Sequence, residues 1–141
     1  MCDAYGGVIF NDRGEVLLRR PTGHFGGTVW TFAKGQHEHG SEPEETALRE
    51  VEEETGYRCE IVSRIPGKYR GSTSVTAYFV MRPIGERGAY DEDETCEVRW
   101  VTPEAAVPLI MLTKLPITRA RDLRVLRKAT EVFHSLPGTG S

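Results

Sequence analysis

At 141 residues the chain has the length of one domain, enough to bury roughly two-thirds of its extended surface without disulfides. No eighteen apolar residues follow one another and the first residues lack a basic, apolar leader pattern, so neither a membrane span nor a secretory signal is expected. Three cysteines without metal-ligand spacing point to reduced thiols and a cytoplasmic setting. The net charge of −3 hides an asymmetry: residues 41–60 hold eight acids against two arginines, and residues 111–130 hold six basic residues against Asp122. An acidic site bordered by basic groups suits a metal–phosphate pocket.

Residues 5–10 form an apolar run, 11–14 a turn cluster, and 15–20 a second apolar run ending in two arginines, which predicts strand, tight turn and strand. Strand side chains alternate, so only one of Arg19 and Arg20 faces a pocket, where it is a candidate for holding phosphate. The loop at 21–28 contains His24. Its glycines fall at neither Walker nor dinucleotide spacing, and it reads as a mobile rim leading into a strand at 30–33.

The most informative stretch runs from Gly35 to Tyr57. A helix is predicted over 42–55: Pro43 suits a first turn, glutamates crowd the N-terminal end, Ser41 reads as an N-cap with Glu44 three residues on, and Gly56 supplies a stop. Leu48, Val51 and Thr55, with Ala47 at the edge, make its core-facing side. Glu50, Glu53 and Glu54 fall at i, i+3 and i+4, so their carboxylates share one arc. Each like-charge pair costs a few tenths of a kcal/mol in an isolated helix, which a cation would offset. Oxygen-only, charged ligands suit a hard ion such as Mg²⁺, with Mn²⁺ next. The alternative is a solvated acidic face. His37 and His39 lie in the loop before the helix, without zinc-site spacing.

Further along, 59–65 reads as a strand, Pro66 and Gly67 break it, and 74–82 alternates with Val75, Ala77, Phe79 and Met81 on one face. Thr76, Tyr78 and Arg82 share the other face, with Tyr69 and Arg70 upstream. That face either packs or stacks a base and holds a phosphate. Residues 84–93 read as a loop and 94–101 as a strand. Thr102 and Pro103 open a short helix that Pro108 is expected to stop. A closing helix at 118–134 carries Leu123, Leu126 and Phe133 beside Arg121, Arg124, Arg127 and Lys128, with core packing as its main role. A single domain over 1–136 with a disordered tail at 137–141 is expected.

Gly35, thirteen residues, then Arg49, Glu50, Val51, Glu53, Glu54 and Gly56 resembles the signature box of the Nudix hydrolases. A chance match of the fixed positions is on the order of 10⁻⁷ per start position. Trp30, Phe32 and Lys34 resemble the family's lead-in strand. The departures are Ser41 for a glutamate, Tyr57 for an aliphatic residue and Ala33 for a proline. The resemblance implies an α/β fold, a Nudix-type α/β/α sandwich with a mixed sheet between the 42–55 helix and a C-terminal helix. It implies Mg²⁺-dependent cleavage of a phosphoanhydride bond in a nucleoside diphosphate-linked compound, leaning to diadenosine or other nucleoside polyphosphates.

Within the family the alternatives are a mutator-type triphosphate pyrophosphatase and an ADP-ribose pyrophosphatase. The latter is marked by a proline where this chain has Ser72. Outside hydrolysis, the alternative is a nucleotide-binding module on the same fold. The metal ligands implied are Glu50, Glu53, Glu54 and the Gly35 carbonyl. The implied base is Glu50 or Glu94, with Glu97 a competitor for the latter, and Arg49 orients the acids. Lys34 and one of Arg19 or Arg20 contact phosphate, and Tyr69 and Tyr78 are the candidate base platform. The implied partner is a small nucleotide. Aromatic and basic residues are not interleaved as a nucleic-acid surface requires.

Overall fold

A computed structural model describes residues 2–138, the side chains of 24–26 excepted, so the reading of His24 and of positions 139–141 lies outside the described residues. The chain runs β1 (Ala4–Ile9), β2 (Val16–Pro21), a 3₁₀ turn (Thr22–Gly27), β3 (Ala33–Gln36), α1 (Pro43–Thr55), β4 (Cys59–Arg64), β5 (Tyr69–Arg70), β6 (Val75–Pro83), β7 (Thr95–Val101), α2 (Pro103–Ile110) and α3 (Pro116–Ser135). The main sheet has the order β3-β1-β6-β4, with β5 also on β6. β1 and β6 are parallel and the other pairs antiparallel, so the sheet is mixed as expected. β2 and β7 form a separate antiparallel pair, joined to the first sheet by the Phe10–Val16 and Arg19–Thr31 bridges.

β1 and β6 read as nearly continuous apolar runs because both their faces are covered. Tyr5, Ile9, Ala77, Phe79 and Met81 pack with Ala47 and Val51 of α1. Val8, Phe10, Tyr78 and Val80 pack on the other side with Ala106 and Ile110 of α2 and Val125, Leu126 and Ala129 of α3. The helix that carries the acids is thus pinned by its apolar side. Val51 is fully buried, worth about 1.5–3 kcal/mol for such a side chain.

Three local expectations need correction. The α1 cap is Glu42 and not Ser41: the Glu42 backbone N–H donates to Glu45 Oε1 at 3.0 Å, while the Ser41 N–H closes a turn on the Glu38 carbonyl. The helix ends as predicted at Gly56, whose φ of 81° a side chain would resist. The strand before the box starts later than 30–33. Trp30 and Phe32 are buried in the core, Thr31 makes one bridge to Arg19, and the ladder to β1 begins at Ala33, placing Gly35 opposite Tyr5. Finally, α2 continues through Pro108 to Ile110. The proline forfeits one backbone bond, but Ala106 N–H to Thr102 and Met111 N–H to Val107 hold the turns on either side. Pro137 and Gly138 form a turn. Among the described residues no helix is long and apolar enough to cross a membrane, and Cys2, Cys59 and Cys96 are free thiols.

Candidate active site

The acids of α1 meet the end of β3 because Gly35 has no side chain. A Cβ there would overlap the Glu50 carboxyl, so Glu50 lies directly on the Gly35 backbone. Glu54, one turn on, is 6% exposed and accepts the Lys34 backbone N–H through Oε1 at 3.1 Å. Glu53 stays exposed at the same flank. Arg49 gathers this group: Nε lies 3.9 Å from Glu53 Oε1, and Nη2 lies 3.4 Å from both Glu50 Oε2 and Glu38 Oε1. Of the two acids that helical spacing offers Arg49 four residues away, Glu45 and Glu53, Arg49 pairs with Glu53. Glu38, from the loop, was not anticipated.

Burial, then the neighbouring charge of Glu53, pushes the Glu50 carboxyl above its ordinary range, while Arg49 pulls it back. Burial pushes Glu54 further, to about 8, against the opposing pull of Arg19 and the Lys34 amide. Glu94 adds to both shifts, which places it electrostatically within the same group. Glu97 pairs with Arg20 across β2 and β7, and with Arg99, away from this group. As placed, the acids turn to protein cations, and among the described residues no three acidic, histidine or cysteine side chains are gathered closely enough to hold a metal ion.

Arg19 and Arg20 do point to opposite faces, as alternation requires. Arg19 is buried and committed to protein: Nε donates to Thr95 Oγ1 at 2.8 Å and lies 3.6 Å from Glu54 Oε1, and Nη2 donates to the Glu94 carbonyl at 2.7 Å. It braces the Glu94 loop against α1. That loop is latched elsewhere too: Gly88 N–H to the Gly56 carbonyl and Asp91 N–H to the Glu53 carbonyl, both 2.7 Å, and Thr22 N–H to the Glu94 carbonyl at 2.9 Å.

Beside the acids opens a cavity of about 290 Å³, whose lining includes Arg19, Lys34, Glu54 and Glu94 together with Ser72, Thr73, Thr118 and Arg121. Burial, then the charge of Arg121, lowers the Lys34 pKa. Arg20 does not line it. Nor do Tyr69 and Tyr78: Tyr78 is fully buried and Tyr69 is 3% exposed, so the expected stacking platform is core packing beneath α3. Tyr69 instead donates its hydroxyl to the Pro66 carbonyl at 2.6 Å. Arg121, one of the basic residues of 111–130 and given no individual role by the sequence, reaches the cavity wall. The spacing held a signal, since Arg121 and Asp122 occupy the stripe of α3 that continues into Val125, Leu126 and Ala129.

One prediction follows from Gly35. Gly35→Ala forces the Glu50 carboxyl off the β3 backbone, and a displacement on the order of 1 Å costs about 10²-fold in rate. Steady-state turnover beside a circular dichroism melt is the measurement. A fully active variant would remove the contact from the chemistry.

A sequence model of the NUDIX domain matches residues 2–125. The chain is 34% identical over 109 residues to an ADP-ribose pyrophosphatase of Bacillus subtilis, covering 70% of this chain and 57% of that protein. It is 30% identical to an RNA pyrophosphohydrolase of Novosphingobium aromaticivorans, covering 93% and 91% respectively. The fold superposes on the crystal structure of a C. elegans Ap4A hydrolase binary complex with a TM-score of 0.73 at 19% identity, covering 94% and 99% of the two chains.

Proposed function

The chain belongs to the Nudix family, as a hydrolase of pyrophosphate bonds, and from that premise we propose that it cleaves nucleoside polyphosphates with the aid of Mg²⁺. The observation that carries this reading is the meeting of Glu54, Glu94 and Lys34 at one cavity, with Glu50 seated on Gly35 one helical turn from Glu54.

Nudix hydrolases generally use divalent metals, and the donor types here suit one, with the acids turning from Arg19 and Arg49 to gather on it. Burial and mutual repulsion disfavour the charge on Glu50 and Glu54, and all the donors are oxygens. Glu50, Glu53, Glu54 and the Gly35 carbonyl would hold the ion. When bound, Mg²⁺, or Mn²⁺ in its place, supplies Lewis-acid polarisation of a phosphoryl oxygen and a more acidic water. Glu50 or Glu94 accepts the proton of the attacking water. Arg49 fixes Glu50 and Glu53 from the solvent side, and Arg19 fixes Glu54 and the backbone of Glu94 from the interior. Lys34 offsets charge that accumulates on the phosphates.

The test is a substrate panel of diadenosine polyphosphates, nucleoside triphosphates, ADP-ribose and 5′-triphosphorylated RNA, run in oxygen-18 water to mark the phosphorus attacked. Chelation is expected to abolish product formation, and adding Mg²⁺ back to restore it. Turnover that persists in chelator, or no hydrolysis of any member with Mg²⁺, would overturn the reading.

A further inference from the structure

The α3 wall of the cavity has no part in the roles above, yet it is built. Arg121 is only 5% exposed, and its Nε donates to Asp122 Oδ1 at 3.0 Å. Asp122, fully buried, accepts the Thr31 hydroxyl on its other oxygen at 2.7 Å. The guanidinium is thereby locked by one edge, and among the described residues its terminal nitrogens donate to no protein acceptor. Space for them comes from Gly71, where a Cβ would overlap Nη1. Ser72 and Thr73 in the same turn add hydroxyls to the cavity, while Arg19 is consumed by Glu54, Thr95 and Glu94. The one aromatic lining residue among those described, Phe32, is 1% exposed, so that lining offers a base no ring face.

We propose that Arg121 receives a free terminal phosphate of the substrate, so that the enzyme favours nucleoside polyphosphates ending in phosphate over those capped by a second nucleoside. This rests on the hydrolase reading and narrows it. A guanidinium with one edge already fixed presents its remaining fork at little further entropy cost, and that fork matches phosphate oxygens.

The experiment compares adenosine 5′-tetraphosphate with diadenosine tetraphosphate, which share the phosphate chain and differ in the cap, on wild type, Arg121→Gln and Gly71→Ala. Wild type is expected to show the higher kcat/KM on the uncapped compound. Arg121→Gln raises KM for that compound about ten- to a hundredfold, the worth of a charge-assisted hydrogen bond, and moves KM for the capped one less than twofold. Gly71→Ala, which keeps the charge and displaces the fork, shifts the preference the same way. Equal changes on both substrates, or none, would overturn the proposal. Should neither compound be cleaved, the hydrolase reading fails first. Calorimetric binding of inorganic tripolyphosphate then decides this one: binding weakened at least tenfold in Arg121→Gln supports it, and equal binding refutes it.

Discussion

Glu50→Gln is expected to lower kcat by about 10²–10⁴-fold, the range set by losing a positioned proton acceptor. Glutamine preserves the packing on Gly35 and the contact with Arg49 but can neither take a proton nor bring negative charge to a cation. The fold should not suffer. Burial and Glu53 raise the folded pKa of Glu50, so its ionisation costs stability as pH rises from the unfolded pKa through the folded one, and that cost is present at neutral pH. In chelator the variant should therefore melt at the same temperature as wild type or slightly above it. Glu53→Gln, at an exposed position, should lose activity mainly through weaker metal binding, recovered in part at high Mg²⁺. Unchanged turnover in both variants would remove these residues from the chemistry.

The second large effect concerns stability. Asp122→Ala is expected to cost about 3–5 kcal/mol, because it strands the buried Arg121 guanidinium without its counter-charge and leaves the Thr31 hydroxyl unbonded. For a chain of this size that is a fall in Tm on the order of 10–20 °C, readable by calorimetry. Asp122→Asn keeps an acceptor for Thr31 and should fall between. A Tm within 2 °C of wild type in the alanine variant would mean that the network holds nothing together.

How much of this was legible in the chain differs by residue. The α1 acids were, since helical spacing alone places Glu50, Glu53 and Glu54 on one flank and Val51 against the core, and Gly35 was fixed by the box. The sheet layers were legible from alternation at Val75, Ala77, Phe79 and Met81. Alternation cannot say what covers the opposite face, however, and α3 covers it, which turned Tyr78 from a candidate platform into core. Arg19 and Arg121 show the converse failure. Each lay among other basic residues; helical spacing puts Arg121 on the buried stripe of α3, but local sequence does not name the partner that holds either arginine. Those partners, Glu54, Glu94 and Thr95 for Arg19 and Thr31 for the Arg121–Asp122 pair, are brought in from α1, the start of β7 and the segment before β3.

The latches on the loop before β7 constrain traffic through the site. With Gly88 and Asp91 tied to the end of α1, and Glu94 tied to both Arg19 and Thr22, that border cannot swing aside without breaking at least four hydrogen bonds at once. A ligand that fills the cavity therefore meets a fixed wall at Glu94, whose position is set by Arg19 and Thr22 before anything binds.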